Sequence, residues 1–130
     1  MKAALIAGCV VLSVSFVASG AHAEPLFQYL PPAEYDKPYT GELIIKQVAT
    51  EQDVRDACPG AAAAFDRNPQ SHATACNYNY GTRCEIIIVS DKVFKALGLT
   101  YAASLRHELG HCNGWSKDHP GKIPTRVSAQ

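Results

Sequence analysis

The segment RHELGHCNGWSKDH, residues 106–119, decides most of what the sequence predicts. It contains the pattern His-Glu-x-x-His, formed by His107, Glu108 and His111. On a helix, residues four apart lie on one face, so both imidazoles can reach a single Zn²⁺ ion at about 2.0–2.1 Å. Glu108 lies about 100° around the helix from His107. It can therefore stand beside the ion's water as a general base without binding the ion itself.

A third ligand is expected shortly after this pattern, because catalytic zinc sites take three protein ligands. Gly114 in Asn113-Gly114 supplies the positive φ that ends a helix and turns the chain back. The turn can bring Asp118 or His119 to the ion. His119 is the first choice, since histidine is the commoner zinc ligand. Asp118 is the alternative ligand, or else a carboxylate that holds a ligand imidazole.

The residues around the pattern predict the bounds and faces of its helix. Thr100 caps a helix of about Tyr101 to Cys112, which Asn113-Gly114 ends. Helical spacing predicts a core-facing stripe of Ala102, Leu105, Leu109 and Cys112. The opposite face is expected to carry Ser104, His107, Glu108 and His111. Gly110 leaves room for another chain segment to approach the helix.

The series His107-Glu108-x-x-His111-x-x-Gly114, followed by Asp118-His119, resembles the zincin metallopeptidases. Its continuation is metzincin-like, although Met1 is the only methionine and no Met-turn follows. The whole segment resembles small exported bacterial zincin-like proteins. The resemblance implies that His107 and His111 bind zinc, that Glu108 is the catalytic base and that Gly114 forms the turn. It also implies a small α+β domain, with a short β-sheet packed on the active-site helix.

The function implied is that of an exported zinc metallopeptidase, in which Glu108 assists the attack of zinc-bound water on a peptide bond. In zincins the strand before this helix lies at the cleft and pairs with extended substrate, so the strand 84–89 is expected there. Candidate groups for stabilising an oxyanion are Tyr101, Arg106, His72, Tyr78 and Tyr80. For each of them, packing or solvation is the simpler interpretation.

Two other functions fit the same residues. The first is a non-catalytic secreted zinc-binding or interaction module, suggested by the small size of the domain. The second is a cell-wall peptide hydrolase, suggested only by export. The expected partner is a peptide or protein substrate of a monomeric protein. The 12 basic and 12 acidic side chains balance, so the charge predicts no binding to nucleic acid or to a membrane surface.

The N-terminal segment 1–23 has the three parts of a secretory signal peptide. Lys2 precedes an uncharged apolar run, and Ala21-His22-Ala23 supplies the small residues before an expected cleavage at Glu24. An uncleaved anchor and a lipidated Cys9 are the alternatives. Cleavage leaves 107 of 130 residues as one exported domain, residues 24–130, in the periplasm or outside a bacterial cell.

Four of the five cysteines follow the signal segment, and an even number in a small exported domain predicts two disulfides. They are Cys58, Cys76, Cys84 and Cys112. Three pairings are possible, and spacing favours Cys76–Cys84 as a local loop together with Cys58–Cys112. Metal binding by these cysteines is the alternative, although no pair has the close spacing of structural zinc sites.

The remaining elements follow from local signals. Prolines make residues 24–40 an extended arm, with aromatic residues that anchor it to the domain. A first strand is predicted over residues 41–49. Thr50 caps a helix that Pro59-Gly60 ends, and Ser90-Asp91 begins a short helix that Gly98 stops. The apolar run at residues 84–89 predicts a buried strand.

Overall fold

The computed structural model describes residues 27–60 and 71–126. The predicted signal segment 1–23 and its cleavage site lie outside these residues. The described part is a small mixed α+β arrangement with two sheets and three helices. None of its helices combines the length and the apolar character needed to cross a membrane.

The larger sheet has three strands, and the middle one contains residues 84–89, which were predicted to form a buried strand. The described strands are β1 (Phe27–Leu30), β2 (Glu42–Val48), β3 (Ala75–Asn79), β4 (Arg83–Val89) and β5 (Ile123–Arg126). Strand β4 lies between β2, which runs parallel to it, and β3, which runs antiparallel. Ile86, Ile88 and Val89 are fully buried, as the apolar run predicted.

The central position of β4 contradicts one expectation. The strand 84–89 was expected to pair with extended substrate, yet both of its edges are already hydrogen-bonded to β2 and β3. A strand needs an unpaired edge to accept a peptide by main-chain hydrogen bonds. The assignment of β4 as the substrate strand is therefore wrong.

The helices begin and end close to the predicted residues. They are α1 (Glu51–Ala57), α2 (Asp91–Ala96) and α3 (Tyr101–Cys112). Thr50 caps α1 in a capping box, in which its hydroxyl accepts from the backbone N–H of Asp53 and the Asp53 carboxylate accepts in return. The predicted bounds of α3 are confirmed. Thr100 stands at its N-cap, but its hydroxyl does not cap the helix.

The side chain of Gln28, in strand β1, forms hydrogen bonds with the first residues of α3 instead. Its Oε1 accepts from the Thr100 N–H at 2.9 Å and from the Thr100 hydroxyl at 3.0 Å. Its Nε2 donates to the Thr100 carbonyl and to the Ser104 hydroxyl. The Gln28 side chain is buried, and these contacts fix β1 against α3.

The arm predicted over residues 24–40 is described from residue 27 onward. It contains β1, which pairs antiparallel with β5 in a two-stranded ribbon, and then a turn closed by the Pro32 carbonyl. Arg106 of α3 pairs with Asp36 of the arm, and Asn113 donates to the carbonyls of Tyr35 and Lys37. Together with the contacts of Gln28 at Thr100, these bonds join the arm to the start, the middle and the end of α3.

The four cysteines form two disulfides, as predicted, but the favoured pairing is wrong. The bonds are Cys58–Cys76 and Cys84–Cys112. In the β3–β4 hairpin Cys76 lies opposite Ile87, whereas Cys84 lies opposite Asn79. Because side chains alternate along a strand, Cys76 and Cys84 point to opposite faces of the sheet. Disulfides of this kind are typical of an oxidising, exported environment.

Each disulfide joins one helix to one face of the sheet. Cys58, at the end of α1, bonds to the face that carries Cys76, and Cys112, at the end of α3, bonds to the face that carries Cys84. The hydrophobic core that the helices and the sheet share includes Val54, Ile86, Ile88 and Phe94. The sheet is therefore enclosed by α1 on one side and α3 on the other.

The burial of α3 differs from the predicted two faces. Ala102 of the expected core stripe is exposed, whereas Leu105 and Leu109 are partly buried and Cys112 is buried. Glu108 and His111, expected on the other face, are only 7% and 6% exposed. The arm contacts the helix at His107, and the chain after Gly114 contacts it at His111, so the helix is enclosed on more than its apolar side.

Candidate metal centre

The end of helix α3 and the turn after it place the candidate ligands. The Asn79 side chain donates to the carbonyls of His111 and Cys112, which the helix leaves without intrahelical partners. Gly114 has a φ of 96°, the left-handed conformation predicted for the turn. The Trp115 N–H donates to the Gly110 carbonyl, and from there the chain returns toward the helix.

Three histidines converge at this point. The Nε2 atoms of His107 and His111 are 3.2 Å apart, those of His111 and His119 are 3.2 Å apart, and those of His107 and His119 are 3.1 Å apart. Together they form a group that could hold a metal ion. Asp118, the alternative third ligand, is exposed and is not part of the group.

Two of these rings are oriented by backbone carbonyls. Nδ1 of His107 lies 2.7 Å from the Tyr29 carbonyl, and Nδ1 of His111 lies 2.8 Å from the Trp115 carbonyl. A carbonyl only accepts, so each Nδ1 carries the proton and donates. Each Nε2 is then an unprotonated acceptor directed at the centre of the trio. This arrangement of a ligand imidazole on a carbonyl is typical of protein metal sites.

The spacing of the three nitrogens fits a small tetrahedral cation. Nitrogen ligands at about 2.0–2.1 Å from a tetrahedral zinc ion lie roughly 3.3–3.4 Å from one another. The observed separations of 3.1–3.2 Å are close to this value. Without a cation, the unprotonated Nε2 atoms of His107 and His111 would face one another at 3.2 Å with no donor between these two rings. The donor set therefore suits a metal ion.

The backbone at His119 is held in an uncommon conformation. Its φ is 57°, and it is the single non-glycine residue with positive φ in the described part of the chain. The left-handed region costs a residue with a Cβ about 1–2 kcal/mol. Such a cost persists where the surrounding structure imposes it, and it is frequent at functional sites. Here the conformation directs the His119 ring at the other two histidines.

Trp115 contacts all three rings of the trio. Its ring stacks on His111 with centroids 4.9 Å apart and planes 17° apart, and it meets His107 and His119 edge-on. The indole N–H donates to the Pro120 carbonyl at 2.8 Å. Trp115 therefore anchors the turn and fixes the three histidine rings relative to one another.

Burial keeps the ligand rings neutral. It lowers the pKa of His107 and of His111 to about 4, despite the carbonyls that favour the protonated form. It also lowers the pKa of His119, with further lowering by Lys122 and Lys117. Neutral imidazole is the form that binds a metal ion.

Glu108 follows His107 on α3, and its side chain is buried. No hydrogen bond or ion pair joins its carboxyl group to another residue in the described ranges. Burial raises the pKa of Glu108 to about 7, against the opposing effect of the positive Lys117. A carboxyl group with such a pKa can both accept and release a proton near neutral pH.

The residues considered for oxyanion stabilisation are engaged elsewhere. Tyr101 packs edge-on against Phe94, and Arg106 pairs with Asp36. His72 contacts Glu51, while the Tyr78 hydroxyl donates to the Ala57 carbonyl and Tyr80 stacks on Arg83. The sequence did not predict the hydrogen bond between Lys117, two residues before His119, and Asn77 of β3. No sequence signal linked these two, since they are 40 positions apart.

Comparison of the chain with models of protein families, with curated proteins and with solved structures gave no match. The function of the chain is therefore inferred from the geometry of the described residues.

Proposed function

We propose that the chain is an exported zinc-dependent peptide hydrolase of zincin type. The observation that carries the proposal is the convergence of three histidine Nε2 atoms within 3.2 Å, two of them on the helix that also carries Glu108. Zinc is the metal we assign, because three neutral imidazoles at tetrahedral spacing suit it. A zinc ion bound there supplies a Lewis acid that polarises a carbonyl group and acidifies water.

The protein's own groups would perform the proton transfers and the positioning. Glu108 takes a proton from the attacking water and passes it to the leaving amine. His107 and His111 stay fixed by the carbonyls of Tyr29 and Trp115. The hydrolytic step therefore needs only Glu108 to change its protonation state.

Strand β3 replaces β4 in our proposal for substrate binding. Among the described strands β3 pairs only with β4, and we place an extended peptide on its second edge at the exposed end, Tyr78 and Asn79. Asn79 of β3 holds the end of α3, and Asn77 of β3 contacts Lys117 in the segment that carries His119. A peptide on this edge would therefore run beside the proposed ligands.

One observation favours a second candidate, a non-catalytic zinc-binding module. A cavity of about 420 Å³ lies between the arm and α3, and its lining includes Asp36, Tyr39, Leu43, Arg106 and Leu109 but neither Glu108 nor the histidine trio. In such a module the metal would stabilise the fold and Glu108 would have no catalytic part.

The two candidates are separated by metal content and peptide cleavage of the purified protein and of Glu108→Gln. A hydrolase binds one zinc ion in both forms and loses roughly 10²–10⁴-fold in kcat in the variant. Asp118→Asn is the matched control, and it retains both metal and activity. Zinc that raises thermal stability while wild type cleaves no peptide would establish the module instead. Wild type that holds no zinc would refute both.

A further inference from the structure

The side chain of Lys117, in the segment between Trp115 and His119, is held by a buried amide. Its Nζ donates to Oδ1 of Asn77 at 2.9 Å. Asn77 is 5% exposed, and its Nδ2 lies 3.8 Å from Sγ of Cys84, in the disulfide to Cys112. The Asn77 side chain is thus fixed between the disulfide and the ammonium group. A buried polar side chain in this position restricts where the lysine can point.

The charge of Lys117 has no anion of its own in the described ranges. No carboxylate there forms an ion pair with it, and its amide partner Asn77 is neutral. An ammonium group has three donors, of which Asn77 takes one. The positive charge opposes protonation of Glu108 and of all three histidines. The segment that carries Lys117 runs from Trp115, which stacks on His111, to His119 of the trio.

Lys122 provides a comparison within the same segment. Its Nζ lies 4.2 Å from the centre of the Tyr29 ring, in a cation–π contact. Of the site groups with shifted pKa values, only His119 is affected by Lys122. The two lysines therefore carry the same charge in the same segment, but only Lys117 is held by a buried hydrogen-bond partner.

We propose that Lys117, held by Asn77, is the anion-binding residue of the site and takes an anionic oxygen of the substrate beside the histidine trio. This inference rests on the proposed function, because it requires a metal ion at the trio. The anionic oxygen has two possible sources. One is the oxyanion that develops on a carbonyl under attack, and the other is a carboxylate carried by the peptide.

Anion binding can be tested without turnover by loading the protein with Co²⁺ and titrating inorganic phosphate while recording the visible spectrum. Wild type is expected to bind phosphate, and Lys117→Met to bind it about tenfold or more weakly. Lys117→Arg should retain most of the affinity, and Lys122→Met should stay within about twofold of wild type. Phosphate affinity of Lys117→Met equal to that of wild type would overturn the inference. Absence of a Co²⁺ spectrum in wild type would overturn the metal site itself, which is a different result.

Cleavage of matched peptides with free and amidated C-termini identifies the source of the anion. If Lys117 takes the oxyanion, Lys117→Met lowers kcat equally for both peptides. If it takes a terminal carboxylate, the variant raises KM for the free-acid peptide only. Either pattern supports the anion-binding role, and unchanged kcat/KM for both peptides contradicts it.

Discussion

Gly110 of helix α3 lies directly against Pro31 of the arm: a Cβ added at Gly110 would be 2.6 Å from Cβ and 2.8 Å from Cγ of Pro31. Pro31 is buried and α3 is a regular helix, so neither can move away from an added Cβ without disturbing its neighbours. The contact seats strand β1, whose Tyr29 carbonyl accepts from Nδ1 of His107. A packing contact at Gly110 is therefore linked to the orientation of a proposed ligand.

Gly110→Ala should lower both stability and metal affinity. Overpacking of this kind costs about 1–3 kcal/mol in the free energy of unfolding, and displacement of Tyr29 would release the His107 ring. Urea denaturation and competition with a zinc chelator measure the two effects. Gly60→Ala is the matched control, because a Cβ there meets nothing within 4 Å. Equal zinc affinity in wild type and Gly110→Ala would show that the packing of the arm against Gly110 does not affect metal binding.

Trp115 should report metal binding directly, since it is the only tryptophan in the chain and stacks on His111. Titration with Co²⁺ or Cu²⁺ is expected to quench its fluorescence to a sharp endpoint at one ion per chain. His119→Ala should abolish the endpoint, because two imidazoles remain. Asp118→Asn should keep it, since the Asp118 side chain is exposed and lies outside the trio. The reverse pattern would make Asp118 the third ligand.

Sequence reasoning succeeded where the structure depends on local signals. The bounds of α3 follow from Thr100 and Asn113-Gly114, and the return of the chain to His119 follows from the Gly114 turn. These features depend on residues within a few positions of one another. Helical spacing alone sets His107 and His111 on one face.

What sequence reasoning missed depends on contacts between distant residues. The carbonyl that orients His107 belongs to Tyr29, 78 positions earlier. The disulfide pairing depends on the register of the β3–β4 hairpin, which sends Cys76 and Cys84 to opposite faces. Glu108 is buried although its own pattern marks its helix face as polar, and Cys112, one turn later on that face, is bonded to Cys84 of the sheet. No local signal carries this information.

The pH dependence of stability should expose the burial of Glu108 in metal-free protein. Its folded-state pKa of about 7 lies above the unfolded value of about 4.5, so the folded state binds its proton more tightly. This contribution is fully present below pH 4.5 and is lost as pH rises through 7. Glu108→Gln removes the dependence. Its gain in stability over wild type should be up to roughly 3 kcal/mol larger at pH 8 than at pH 4.

Urea denaturation in a chelator at both pH values measures this difference. The histidines titrate in wild type and variant alike, so their effect cancels in the comparison. Glu85→Gln provides a control, because Glu85 pairs with Lys46 at the surface and is less buried. A Glu108→Gln effect that is the same at both pH values would show that the carboxyl group is hydrated.

The two disulfides should contribute similarly to stability but differently to metal binding. They close chain separations of 18 and 28 residues, for which loop-closure entropy gives about 3–4 kcal/mol each. Cys112 follows His111 directly, so removing Cys84–Cys112 frees the end of α3 from β4 and should weaken zinc binding by about tenfold or more. Removing Cys58–Cys76 affects α1, on the other face of the sheet, and should leave affinity nearly unchanged. Chelator competition on the two double Cys→Ala variants measures this, with urea denaturation as the matched reference. Equal loss of zinc affinity in both would mean that metal binding follows global stability rather than the position of α3.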